Sequence, residues 1–156
     1  GGDIDTDVLA PGAYMKLGIE GIAPHCLESV RPEFARQVQR GDVIAAGPNF
    51  GIGSSREQAA AALVHLGVAA VIAPSFAGLY FRNAFNVGLL LLTCPETQRI
   101  EDGELIAVDA RAARVQRSDG GVLTCDPIPD FLLDLVDAGG LLPQLKRRLT
   151  TAKESP

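Results

Sequence analysis

The segment Asn49-Phe50-Gly51-Ile52-Gly53-Ser54-Ser55-Arg56-Glu57 gathers more reactive and ligand-binding groups than any other stretch of this chain. Two glycines leave backbone N–H groups uncovered, two serines offer hydroxyls, and Arg56 offers a planar fork of donors that matches a carboxylate. The segment joins an apolar run to a helix-forming run, so the positive end of a helix adds to its affinity for anions. It is not a Walker A loop, because no Gly-Lys-Ser/Thr follows, and Gly51-x-Gly53 lacks the third glycine of a dinucleotide fingerprint. Helix capping accounts for part of the pattern: Ser54 with Glu57 fits a capping box, and so does Ser55 with Gln58 one register later. One cap needs only one hydroxyl, however. An arginine in the first turn of a helix also opposes the macrodipole, by about a few tenths of a kcal/mol. The surplus serine and the misplaced cation point to an anionic ligand.

A second candidate is the amino-terminal run Asp3-Ile4-Asp5-Thr6-Asp7, which alternates acids as a metal loop does. It has neither the glycine nor the distant bidentate glutamate of a calcium hand, and a solvated turn explains it as well. The three cysteines, Cys26, Cys94 and Cys125, are widely spaced with no Cys-x-x-Cys, which fits neither a disulfide framework nor a zinc knuckle. They read as small buried side chains in a reducing, cytoplasmic setting. His25 and His65 are the only histidines, 40 positions apart, too few for a metal centre or a Ser-His-Asp relay.

The elements that must position these groups follow from the apolar pattern. Of 156 residues 47% are hydrophobic and 21% charged, enough to bury a core in one domain spanning 1–156. Fourteen Lys and Arg against nineteen Asp and Glu give a net charge of −5, which disfavours nucleic acid as a partner. No run approaches the roughly 20 apolar residues of a membrane span, and the first residues lack the pattern of a signal peptide. The absence of an initiator Met leads us to expect a few native residues before Gly1. Residues 1–30, rich in Gly, Pro, Asp and Thr, read as loop, with a short helix expected near Glu28 to Gln39. Buried strands are expected at 43–47, 68–73 and 88–92, with helices from Ser55 to Leu66 and from Pro74 to about Asn86 between them. That alternation implies an α/β fold with a mostly parallel buried sheet flanked by helices and right-handed crossovers. Beyond Cys94-Pro95, short strands at 104–108, 112–117 and 121–125 form a small antiparallel portion with a turn at Ser118 to Gly121. Helices are expected at 127–137 and 141–149, and a frayed tail after about 150.

Gly53-Ser54-Ser55-Arg56-Glu57 after Asn49-Phe50-Gly51, then Ser75-Phe76-Ala77, then Arg82-Asn83-Ala84-Phe85-Asn86-Val87-Gly88-Leu89, resembles the swivelling domain of the aconitase superfamily. Within it the chain is most similar to the small subunits of the 3-isopropylmalate dehydratases. The likeness extends back to Asp5-Thr6-Asp7 and Pro11-Gly12-Ala13-Tyr14, and on to Pro127-x-Pro129-x-Phe131-Leu132 and Gly139-Gly140-Leu141, so it spans nearly the whole chain. What the resemblance implies is a hydro-lyase that acts only with a large subunit, as a heterodimer or heterotetramer. Its reaction would be the interconversion of 2-isopropylmalate and 3-isopropylmalate through 2-isopropylmaleate, in leucine biosynthesis. Ser54 would be the base, Ser55 and Arg56 with Gly53 would bind a substrate carboxylate, and Asp7 would orient a histidine of the partner. A [4Fe–4S] cluster would be held by the large subunit, with no cofactor bound by this chain and a small dicarboxylate as substrate. Gln58 stands where many relatives carry His, and it keeps the hydrogen bonding and the helix propensity.

The resemblance also implies a substrate-selecting segment, Tyr14-Met15-Lys16-Leu17-Gly18. Aconitase-type members carry a carboxylate-binding Arg where Gly18 stands, which argues against citrate and leaves room for an apolar group beside Tyr14, Met15 and Leu17. Lys16 could still reach a longer acid, so homoaconitase and other small-diacid hydratases are the near rivals. A reading of a different class is a stand-alone α/β module that binds a metabolite anion, with Ser54 merely capping its helix.

Overall fold

The computed structural model describes residues 1–154. Its centre is a parallel three-stranded sheet of β1 (Val43–Ala45), β2 (Ala70–Ala73) and β3 (Leu90–Thr93), in the order β1-β2-β3. Ile44 lies opposite Val71, and Val71 opposite Leu91. Helices α4 (Glu57–His65) and α5 (Gly78–Asn86) make the crossovers. Successive strand residues point to opposite faces, and both faces are apolar. Val71, Ala73 and Leu91 join the larger core beneath α4 and α5, whereas Ala70, Ile72, Leu92 and Cys94 join a second core with Val115 and Leu123. The second core is completed by the antiparallel sheet of β4 (Ala107–Asp109), β5 (Arg114–Gln116) and β6 (Val122–Thr124). The parallel and antiparallel portions expected from the sequence are both present.

The amino-terminal region differs from expectation. Residues read as loop form α1 (Thr6–Leu9), a 3₁₀ segment Gly12–Leu17, α2 (Gly18–Ile22) and a 3₁₀ turn Ala23–His25. Each is too short to show a helical period, and each is set by a local device. The Asp5 carboxylate accepts the Asp7 N–H at 2.7 Å at the start of α1, and Pro11 fixes the entry to the 3₁₀ segment. Together they bury Leu9, Ile22, Ala23 and Cys26. The helix expected near 28–39 shrinks to α3 (Phe34–Gln37), preceded by turns.

Two further boundaries move. The second crossover helix starts at Gly78 rather than Pro74, because Phe50 donates its N–H to Ser75 O and Ala77 donates to Phe50 O, holding 75–77 extended against the loop after β1. After α6 (Asp130–Ala138), α7 (Leu141–Glu154) runs past Thr150, where a frayed tail was expected. The hydroxyls of Thr150 and Thr151 bond back to the carbonyls of Lys146 and Arg147. The last two residues of that expected tail lie outside the described residues.

Glu104 and Arg117 lock the antiparallel portion. The Glu104 side chain is only 5% exposed and meets Arg117 Nε at 3.1 Å. Its carboxyl is held down at about 2, first by the Glu101 N–H it accepts and then by Arg117 and Ser118. A carboxyl whose pKa is depressed on folding stabilises the protein above its unfolded value, and that contribution fades as pH falls toward the folded value. Glu104→Gln is therefore expected to melt below the parent at neutral pH, with the gap closing between about pH 4.5 and pH 2. Tm measured against pH for the pair checks this; a gap constant from pH 7 to pH 2 contradicts it.

Candidate active site

Because β1, β2 and β3 run in parallel, the segments that leave their carboxyl ends share one edge of the sheet. The Ser54 loop follows β1, Ser75 follows β2, and Thr93 closes β3. Ligands of open α/β sheets collect at this edge.

The Ser54 loop is tied down at its start and open at its end. Phe50 is buried and packs its ring edge-on to Tyr80, with centroids 5.4 Å apart. Gly51 donates its N–H to Ile4 O at 2.7 Å, and Ile52 O accepts the Thr6 N–H at 2.8 Å. Asn49 donates its N–H to Ser75 Oγ at 2.8 Å and its side-chain amide to Asp3 at 2.8 Å. Past Ile52 the ties cease. Gly53, Ser54 and Ser55 are exposed, and their backbone N–H groups have no acceptor among the described residues. Three such donors beside a helix start are available to an anion. Of the two loop glycines expected to leave their donors uncovered, Gly53 has an N–H without an acceptor among the described residues, whereas the Gly51 N–H is spent on Ile4.

Neither serine caps α4. The helix begins at Glu57, its N-cap residue is Arg56 in an extended conformation, and no side chain bonds the freed N–H groups. This corrects the capping-box expectation for Ser54 and Ser55, and it moves Arg56 out of the first helical turn. The extended backbone of Arg56 sends its side chain toward α1 instead. Arg56 Nη1 lies 2.7 Å from Asp7 Oδ1 and donates to Ala10 O at 3.0 Å. Gly12 donates its N–H to the same Asp7 oxygen at 3.0 Å. The Arg56 hydrogen bond, then that of Gly12, holds the Asp7 carboxyl below its ordinary range.

Asp7 is 63% exposed and Arg56 26%, so this pair contributes little to stability. Its effect is orientation. Nη1 is occupied, while Nη2 and Nε have no partner among the described residues, leaving one edge of the guanidinium for a carboxylate. Asp7 Oδ2 is likewise unoccupied among them.

Asn83 donates to Ser55 Oγ at 3.4 Å, joining α5 to the loop. Asn83 lies within the motif that carries the resemblance, yet its contact with a serine 28 positions earlier has no local signal in the sequence. In the Tyr14 to Gly18 segment, Tyr14 stacks on His25 with centroids 3.5 Å apart, and His25 Nδ1 meets Glu28 at 2.7 Å. Met15 is half-buried against the larger core, Lys16 is exposed, and Leu17 is 62% exposed. Gly18 sits at φ 70°, ψ −180°, a conformation that only glycine adopts without strain. Its lack of a side chain therefore has a backbone reason besides any role in substrate choice.

Cys26 is buried and its thiol is pushed up to about 12 by desolvation; Cys125 is raised to about 12 chiefly by the same cause. Neither is a nucleophile near neutral pH. Among the described residues no group of three or more His, Cys, Asp or Glu stands together in a way that could hold a metal ion.

Comparison with known proteins gives a consistent picture. Residues 29–97 match the family described as Aconitase C-terminal domain. The 3-isopropylmalate dehydratase small subunit 1 of Archaeoglobus fulgidus is 46% identical over 144 residues, covering 91% of this chain and 89% of that protein. The 3-isopropylmalate dehydratase small subunit of Methanosarcina mazei is 44% identical over 149 residues, 94% of this chain and 92% of its own length. The methanogen homoaconitase small subunit of Methanothermobacter thermautotrophicus is 40% identical over 153 residues, 97% of this chain and 89% of that one. A crystal structure of 3-isopropylmalate dehydratase from Methanocaldococcus jannaschii superposes with a TM-score of 0.88 at 38% identity, over 98% of this chain and 93% of the other.

Proposed function

The chain belongs to the family of 3-isopropylmalate dehydratase small subunits, and from that premise we propose how its own residues serve the reaction. With a large subunit it interconverts 2-isopropylmalate and 3-isopropylmalate through 2-isopropylmaleate, a step of leucine biosynthesis, in the cytoplasm. Arg56 binds a substrate carboxylate through the guanidinium edge that Asp7 and Ala10 leave free, and Ser55 adds a hydroxyl fixed by Asn83. Ser54 removes the proton on the carbon next to that carboxylate. A serine oxygen is a weak base, and the uncovered N–H groups of 53–55 stabilise the negative charge it needs.

The elimination also requires departure of a hydroxyl, a poor leaving group without a Lewis acid. The donors of this chain do not fit an iron–sulfur cluster, since its three cysteines are buried and Cys26 lies in a different core from the neighbouring Cys94 and Cys125. We place the [4Fe–4S] cluster on the large subunit. Tyr14 to Gly18 is proposed to choose the side group, with the exposed Leu17 meeting an isopropyl substituent and no guanidinium at position 18 to receive a third carboxylate. The exposed Lys16, together with the homoaconitase relative, keeps homocitrate as the second substrate to assay.

The observation that carries this reading is the half-occupied Arg56 guanidinium together with three N–H groups of the Ser54 loop that have no acceptor among the described residues. The test is assay of the purified chain with and without its large subunit on 2-isopropylmalate, citrate and homocitrate. Turnover of 2-isopropylmalate is expected from the pair alone. Turnover by the isolated chain, or a pair that handles citrate as well as isopropylmalate, contradicts the reading.

A further inference from the structure

At the same sheet edge, a cavity of about 360 Å³ is lined by Ser75, Phe76, Gly78, Phe81, Arg82 and Thr93. Arg82 is exposed and forms no ion pair or hydrogen bond among the described residues. Five of the eleven arginines of this acidic chain, Arg31, Arg56, Arg99, Arg111 and Arg117, each face a carboxylate. Arg82 instead stands among two half-buried phenylalanines and two hydroxyl-bearing side chains. It also follows directly on the candidate site, because its neighbour Asn83 is the residue that holds Ser55.

From this we infer that the Arg82 cavity is part of the surface that receives the large subunit, and that its occupant is a carboxylate side chain of that subunit. The inference rests on the two-chain reading above. Elimination chemistry needs water excluded from the reacting centre, yet Ser54 and Ser55 are exposed. Whatever covers them reaches the middle of α5, where Asn83 meets Ser55 and Arg82 precedes it. A guanidinium enclosed there without an anion would be buried and unpaired, which an assembled interface does not tolerate. The partner must therefore bring a negative charge to Arg82. A carboxylate satisfies the geometry, taking the guanidinium fork in a bidentate pair with Ser75 and Thr93 hydroxyls alongside. An arginine set between aromatic rings also has the composition of the residues that dominate interface affinity.

The test compares four purified chains for affinity to the large subunit: the parent, Arg82→Glu, Arg82→Gln and Arg40→Glu. Arg40 abuts Gly67 at the opposite, amino-terminal edge of the sheet and is also exposed, so it controls for net charge. Since Arg82 has no partner among the described residues, its variants should keep the parent Tm. Arg82→Glu is expected to weaken assembly by roughly 30-fold or more, Arg82→Gln by less, and Arg40→Glu hardly at all. At saturating large subunit, Arg82→Glu should recover the parent kcat. Assembly of Arg82→Glu with parent affinity overturns the inference. So does a result in which the isolated parent chain binds 2-isopropylmalate and Arg82→Glu does not, because the cavity would then serve the free diacid. If the parent itself fails to assemble with the large subunit, it is the two-chain reading that falls.

Discussion

Ser54→Ala is expected to lower kcat of the assembled pair by about 10²–10⁴-fold, the range for loss of a general base, while leaving Tm essentially unchanged. The two halves of this expectation come from separate observations. Stability is untouched because the Ser54 side chain is exposed and makes no hydrogen bond among the described residues, and because α4 takes Arg56, not a serine, as its N-cap. Had either serine capped the helix, its loss would cost about 1 kcal/mol and a Tm shift of about 2–4 °C for a chain of this size. Ser55→Ala supplies the contrast. It removes the Asn83 contact and one carboxylate donor, so it should raise KM more than it lowers kcat. Steady-state kinetics and melting curves of both variants decide the matter: activity retained in Ser54→Ala, or a clear drop in its Tm, means the roles are wrongly assigned.

The parts of this fold that could be read from the sequence are those whose signals are local. Val68 to Ala73 is apolar on both strand faces, and the structure buries Val71 beneath the helices and Ile72 against the antiparallel sheet, as a strand in the middle of an α/β layer requires. Gly51, Gly53, Ser54, Ser55 and Arg56 stand out by composition and register alone. What could not be read depends on residues far apart in the chain. Arg56 and Asp7 are 49 positions apart, and nothing near either one announces the other. The start of α5 was placed too early because Pro74-Ser75 resembles a helix opening. The backbone of 75–77 is instead recruited by Phe50, 26 positions before Phe76. The short helices of residues 6–25 were missed for a different reason: elements of three to six residues complete barely a turn or two. They are held by the core they cover and not by a period of their own.

Gly51→Ala should be the most damaging small change in the site, and its damage should be structural. Gly51 has φ +82°, where a residue bearing Cβ costs about 1–2 kcal/mol. The space is also taken: a Cβ there would run into the ring of Tyr80, which is 2% exposed and packed edge-on against Phe50. Overpacking of a buried ring adds roughly 1–3 kcal/mol, for a total of about 2–5 kcal/mol, or a fall in Tm of roughly 5–15 °C. The consequence reaches the chemistry through the hydrogen bonds on either side. Gly51 N–H to Ile4 O and Thr6 N–H to Ile52 O fasten the loop to α1, and α1 carries the Asp7 that holds Arg56. Shifting the loop to relieve Tyr80 strains that link and moves Arg56 relative to Ser54, so kcat/KM of whatever Gly51→Ala remains folded should fall as well. A second substitution separates packing from backbone strain. Tyr80→Leu alone should destabilise, since it empties part of the ring's site. If the clash dominates, Gly51→Ala should cost less in the Tyr80→Leu background than in the parent, a coupling of about 1 kcal/mol or more in the double-mutant cycle. Strict additivity would assign the whole effect to the left-handed backbone of Gly51. A parent-like Tm for Gly51→Ala would mean that neither the ring nor the backbone fixes this loop.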